Sequence, residues 1–189
     1  MAQPENVLVE LNVTAPTFNL TDIFDRPINL AAYKGKRVFI GFFRHAGCPF
    51  CNLRVHALMT IREKLLAQNM EMIFFFESTK ALLLKSTFHQ GVSPVPLIAD
   101  PTKTTYSIYG VENSFIKSSF SHLTTFIQTA IRAKTKQLPL YAMAGKESFS
   151  TMPAEFLLDE NLIIRKIHYA QTLNDRLSLE RILDFSVGK

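Results

Sequence analysis

One short stretch, Gly47-Cys48-Pro49-Phe50-Cys51, joins two runs of different periodicity and constrains the fold more than any other feature of the chain. Before it, Arg37–Phe43 is rich in β-branched and aromatic residues, with the length and type of a buried strand. After it, Val55, Leu58, Ile61 and Leu65 recur at three- and four-residue spacing, and Pro49–Gln68 holds no further Pro or Gly. That pattern predicts an amphipathic helix, with Pro49 at its first position, where a missing N–H costs nothing. Cys48 then falls near the helix N-cap, where unpaired backbone N–H groups and the helix dipole favour an anion. A thiol so placed is drawn from a pKa of about 8.5 towards roughly 3.5 to 7.5. Cys51 lies about one turn further on, so its sulfur reaches Cys48 with little movement. Gly47 leaves room for a substrate to approach.

These are the only two cysteines, and three positions apart they cannot cross-brace the fold. No staple is needed, because a 189-residue chain that is 47% hydrophobic, with 16 Phe, can bury roughly 70% of its unfolded surface. Half a zinc site is one alternative, but the five His are scattered and no second Cys pair exists. A pair of core cysteines is another. The N-terminus has no basic and apolar leader pattern, and no apolar run approaches the roughly 20 residues of a membrane span. A cytoplasmic location is therefore expected, and there a close Cys pair is more often catalytic or metal-binding than structural. Redox chemistry is the preferred reading, with no metal and no bound cofactor, since the dithiol itself carries electrons. The net charge of +5 is moderate, and no basic cluster interleaved with aromatics points to nucleic acid.

Elsewhere, Thr14–Pro27 carries turn chemistry and Ile28–Tyr33 reads as a short helical turn. Met70–Phe76 reads as a second buried strand, Ser78–His89 as a helix, and the segment from Pro94 to Pro101 as a short strand between turns. Glu155–Leu158 and Leu162–Tyr169 form an expected hairpin, and Leu177–Phe185 a closing helix. This order predicts an α/β domain with a mixed sheet. Within Ser114–Lys136, the residues Ile116, Phe120, Leu123, Ile127, Ala130 and Ile131 form an apolar stripe at helical period. No acidic residue occurs from Asn113 to Lys146, whereas Lys117, Arg132, Lys134, Lys136 and Lys146 are basic. A helix packed on the core is the favoured reading; a lid beside the thiols, a dimer surface and an anionic-partner surface are the others.

Two side chains precede the cysteines. His45 is placed to accept a proton or to stabilise a thiolate as imidazolium, or else is a polar loop residue. Arg44 is placed to hold a thiolate or a peroxide oxygen, or else points to solvent. His56, two turns beyond Cys48, reads as an ordinary boundary residue.

The stretch from Phe42 to Leu53 resembles the active-site segment of the peroxiredoxin-like branch of the AhpC/TSA family, in the thioredoxin superfamily. The resemblance extends to Ala15–Leu20, Pro27–Leu30 and Tyr33–Lys36, to Pro96–Pro101 with Tyr106 and Tyr109–Val111, and to Met152–Asp159. It implies a thioredoxin-like fold: a mixed central sheet flanked by helices, as a single domain over residues 1–189 with a helical insertion at about 113–147. It also implies Cys48 as nucleophile and Cys51 as resolving thiol. The chain departs from true peroxiredoxins at His45, where they keep a Thr, and at Pro153, where they keep an Arg. Met152-Pro153 resembles instead the cis-proline that thioredoxins and glutaredoxins set opposite their Cys pair, and Cys-Pro-Phe-Cys is similar to the glutaredoxin motif. The expected function is a thiol–disulfide redox enzyme reducing peroxides or disulfides. A disulfide oxidoreductase without peroxidase activity and a non-enzymatic redox sensor are the alternatives. The partners implied are a peroxide or disulfide and a thiol donor of thioredoxin or glutathione type, with a homodimer left open.

Overall fold

The computed structural model describes residues 9–111, 128–140, 147–148 and 150–189. A small antiparallel hairpin comes first, from β1 (Asn19–Thr21) and β2 (Pro27–Asn29). The main sheet comprises β3 (Arg37–Phe43), β4 (Met70–Phe76), β5 (Leu97–Ala99), β6 (Ala154–Leu158) and β7 (Ile164–Tyr169), in the order β5-β4-β3-β6-β7. β3, β4 and β5 are parallel, whereas β6 and β7 join antiparallel beyond β3. The mixed sheet expected from the sequence is therefore present. Parallel neighbours need a crossover, and α1 (Pro49–Ala67) provides it between β3 and β4. The short helices α2 (Lys80–Leu84) and α3 (Thr87–Gly91) connect β4 to β5. After β5 come α4 (Thr104–Ile108) and a helix α5 at residues 128–135, and α6 (Leu179–Ser186) follows β7. No described helix is long and apolar enough to cross a membrane.

β3 and β4 are covered on both faces, which explains their nearly unbroken apolar sequences. Alternate residues divide between two cores. Phe39, Phe43, Phe74 and Phe76 pack under α1 and α6, with Val55, Leu58, Leu65 and Ile182. Ile40, Phe42, Ile73, Phe75 and Phe156 face the other way, against Tyr106 and Tyr109. Phe42 and Phe75 stack there with ring centroids 4.8 Å apart. Gly41 is required between its neighbours: a Cβ at this position would come within 2.9 Å of both the Phe39 and Phe43 rings.

Three expectations change. Ile28–Tyr33 is not one helical turn, since its first residues pair as β2 and only Leu30–Tyr33 form a 3-10 helix. Ser78–His89 is broken into two helices because Ser86 caps the second, accepting from the His89 N–H. Ile131 does not lie on a buried stripe. It is 60% exposed, and the buried residues of α5 are Thr129 and Ala133, one turn apart. Thr129 and Arg132 of α5 line a cavity together with Phe50 and Leu53. The rest of the expected stripe, from Ile116 to Ile127, lies outside the described residues.

Candidate active site

α1 begins where the parallel strands end, and its first turn is buried on every side: Pro49, Phe50, Cys51, Asn52 and Arg54 are all enclosed. Cys48 is its N-cap with an extended backbone, φ −72° and ψ 113°. The Cys48 N–H donates to the His45 carbonyl at 3.0 Å, and the Cys48 carbonyl accepts the Asn52 N–H at 3.0 Å. This tight turn holds both sulfurs at the end of β3. The Arg44 backbone N–H donates to Cys51 Sγ at 3.3 Å, and Arg44 Nη1 donates to Cys48 Sγ at 3.8 Å. Cys48, Cys51 and Arg44 have no exposed surface.

The two thiols are driven apart in acidity. Burial alone would raise Cys48, but the hydrogen bond from the Cys51 thiol and the Arg44 guanidinium outweigh it and lower the pKa to about 6. Burial, together with its bond to Cys48, pushes Cys51 well above the ordinary thiol range. One sulfur is thus a ready thiolate and the other its proton-bearing partner. Cys48 Sγ closes no capping hydrogen bond. The helix end acts through the Cys51 N–H only after the Cys51 thiol and Arg44.

Polar groups around the thiols fix this turn. Asn52 Nδ2 donates to the Ala46 and Pro139 carbonyls, each at 2.8 Å, which leaves Oδ1 to accept from His89 Nε2 at 3.2 Å. His89 is therefore the Nε2–H tautomer, and burial holds it neutral by lowering its pKa to about 4. The Ala46 N–H donates to Ser78 Oγ at 2.7 Å, and the Ser78 hydroxyl bonds to the Glu147 carboxylate. The buried Glu77 takes the Ser148 N–H at 3.0 Å, the Thr151 hydroxyl at 2.7 Å and Lys103 Nζ at 2.8 Å. Residues 139, 147 and 148 thus tie both described flanks of the basic segment to the thiol end of the sheet.

On the other side of Phe50 lies a buried ion network. Glu155 reaches from β6 to take Arg54 Nε at 2.7 Å, Arg54 Nη2 at 2.9 Å and the Leu177 N–H at 3.0 Å. Arg176 Nε lies 3.7 Å from the same carboxylate. Its charge, like that of Arg44, acts on both sulfurs.

The fold gathers the expected site residues at one end, though not in every expected posture. Arg44 meets Cys48 directly, His45 offers its carbonyl, and Gly47 is buried within the turn. Met152 packs in the same apolar cluster as both cysteines. Pro153 is not a cis-proline: the Met152–Pro153 bond is trans, and the cis bond is Ser93–Pro94. The Pro153 carbonyl instead accepts the Ala170 N–H at 3.0 Å, which continues the β6–β7 pairing. His56 sits at the boundary, with Nε2 3.3 Å from Lys136 Nζ. Among the described residues, no group of three or more His, Cys, Asp or Glu is gathered as a metal site. Arg54, Glu155, Asn52 and Glu77 were not singled out by sequence. Their one signal was polarity inside otherwise apolar elements, as with Arg54 beside Val55 and Leu58 and Glu155 within Ala154–Leu158.

The model of the AhpC/TSA family matches residues 11–167. The chain belongs to that family. No curated protein matches it. Among solved structures it is similar to a yeast mitochondrial 1-Cys peroxiredoxin, with TM-score 0.66, 13% identity, and coverage of 94% of this chain and 75% of that one. A reduced 2-Cys peroxiredoxin of Plasmodium vivax superposes with TM-score 0.62 at 19% identity, over 93% and 79% of the two chains. A putative thiol:disulfide interchange protein DsbE from Chlorobium tepidum gives TM-score 0.64 at 18% identity, over 95% and 99%. These likenesses define a thioredoxin-like fold, and family membership supports thiol redox function.

Proposed function

We propose that this protein is a peroxide-reducing thiol enzyme in which Cys48 attacks the peroxide and Cys51 resolves the product. The observation that carries this reading is the enclosed Cys48 sulfur, hydrogen-bonded by the Cys51 thiol and held 3.8 Å from Arg44 Nη1. The Cys48 thiolate takes the terminal oxygen of a hydroperoxide, the O–O bond breaks, and a proton goes to the departing alkoxide or hydroxide. The resulting sulfenic acid condenses with the Cys51 thiol, forming the disulfide and releasing water. Arg44 offsets charge on the sulfur and on the oxygen it attacks. Two electrons from an external thiol then regenerate the pair.

Disulfide exchange would use the same pair, and the DsbE likeness keeps it as the second reading. Full enclosure of both sulfurs favours the smaller oxidant, because a protein disulfide must bring its own Cβ–S–S–Cβ unit against Cys48. The trans Met152–Pro153 bond removes one of the two features that resembled a disulfide oxidoreductase, leaving the Cys-Pro-Phe-Cys motif. Steady-state turnover with hydrogen peroxide against a small disulfide, at a fixed thiol donor, tests the choice. Faster turnover of peroxide is expected; turnover of the disulfide alone would establish the second reading.

A further inference from the structure

We propose that a cavity beside Phe50 is a binding site for a small organic carboxylate with an apolar body. Neither cysteine lines it, and the site stands whether the dithiol reduces peroxides or disulfides.

The cavity has a volume of about 470 Å³ and is lined by Phe50, Leu53 and Arg54 of α1, Arg132 of α5, and Leu173 and Arg176 from the segment after β7, among others. That is the size of a site for a small organic molecule. Three of these residues are arginines, and no lining residue is acidic. Behind them, Glu155 gives both oxygens to Arg54 and also takes the Leu177 N–H. Two buried guanidinium groups therefore share one carboxylate. The Arg176 side chain is only 8% exposed. Its Nη1 donates to the Asp175 carbonyl at 2.7 Å, whereas Nε and Nη2 make no hydrogen bond, and Nε keeps only the 3.7 Å ion pair with Glu155. Nε and Nη2 form the edge with which Arg54 holds Glu155, at 2.7 and 2.9 Å. On Arg176 that same edge lacks an acceptor. Buried donors left so are costly, and a carboxylate matches their planar fork. A ligand carboxylate that draws this guanidinium towards the cavity supplies the missing anion. Arg132 lies on the exposed rim, in a segment without acidic residues from Asn113 to Lys146, and adds steering charge.

A larger cavity, of about 600 Å³, lies against β2 and the second half of α1, and it also holds three cations, Arg26, Lys36 and Arg62. Each of those is already paired, Arg26 with Asp22, Lys36 with Glu71 and Arg62 with Glu63, and Glu71 itself lines the space. An anion gains little there. The cavity beside Phe50 differs in its charge and in its wall. Phe50, Leu53 and Leu173 present apolar surface, which favours an organic body over a bare ion. An inorganic anion uses only the arginines, and a neutral amide only the apolar wall; an organic carboxylate uses both.

Calorimetry on the full-length reduced chain tests the site with phenylacetate, phenylacetamide and acetate as probes. Phenylacetate should bind about tenfold or more tighter than the amide, which lacks the charge, and than acetate, which lacks the ring. Arg176→Gln and Arg132→Gln should each weaken phenylacetate severalfold, with Arg176→Lys, which keeps the charge without the fork, falling between. Methyl chemical shifts locate the ligand on the unmodified chain, so the result does not depend on a variant folding. Leu53 and Leu173 should move, and Leu66, on the larger cavity, should not. No binding, equal binding of phenylacetate and either partner probe, undiminished binding by Arg176→Gln, or shifts at Leu66 in place of Leu53 would each overturn the proposal. No redox step enters the measurement, so failure of peroxide to oxidise Cys48 would overturn the peroxidase reading and leave this one standing.

Discussion

Arg44 Nη1 and Cys48 Sγ lie 3.8 Å apart, with both side chains fully enclosed. The guanidinium comes from the residue directly after β3 and the sulfur from the N-cap of α1, so the strand-to-helix turn itself sets the contact. Replacing the cation should return Cys48 towards an ordinary thiol. In Arg44→Gln the pH midpoint for alkylation of Cys48 should move upward by about one unit or more, with roughly a tenfold loss of peroxide rate at slightly acidic pH. An unchanged midpoint would remove Arg44 from the account.

The lowered Cys48 pKa also links acidity to stability. Between about 6 and the unfolded thiol value, native Cys48 is ionised while the unfolded thiol is protonated, so the unfolded state binds more protons. Stability of the reduced protein should therefore rise with pH across that window and be lost as pH falls through about 6. Above about 9 the raised Cys51 reverses the sign, because the native thiol keeps a proton that the unfolded one gives up. Urea midpoints at intervals from pH 4 to 10 should show a rise and then a fall, with the part of the rise above about pH 6.5 absent in Cys48→Ser.

His89 adds an acidic window of its own. Its native pKa of about 4 lies below the unfolded value near 6.5, so the unfolded state binds the extra proton between them. Stability should drop by up to about 3 kcal/mol from this group as pH falls through that range. His89→Gln, which keeps an amide donor for Asn52 Oδ1, should flatten that slope in the same titration.

Long strands and the redox turn were legible because local sequence carries their cause. Arg37–Phe43 and Met70–Phe76 are found where their apolar runs placed them, since both faces of each strand are covered. The hairpin of Asn19–Thr21 with Pro27–Asn29 was hidden, as β1 is wholly exposed and shows no alternation. α4 was hidden too: it starts from Lys103 in a left-handed conformation, φ 58°, with no side-chain cap. Cys48 and Cys51 could be read from their spacing, whereas the contact of Arg54 with Glu155 spans 101 residues and arises only when β6 pairs with β3.

That contact carries its own test. Breaking a buried ion pair leaves an uncompensated charge and costs about 3 to 5 kcal/mol. Glu155→Gln should lose stability on that scale, because Arg54 and Arg176 would both lose their anion. Arg26 and Asp22 also form an ion pair, but the Arg26 side chain there is 38% exposed, and Arg26→Gln should cost no more than about 1 kcal/mol. Denaturant melts of the two variants compare them directly.

The central claim is that Cys48 and Cys51 form one redox unit with divided roles. Intact mass of the reduced chain after one equivalent of hydrogen peroxide tests it most directly. The unmodified chain should lose two hydrogens as a Cys48–Cys51 disulfide that a thiol reverses. Cys51→Ser should gain a single oxygen at Cys48 and stop there, and Cys48→Ser should not change. Oxidation that begins at Cys51, or a native chain carrying stoichiometric zinc on the two thiols and losing its fold on chelation, would contradict the account.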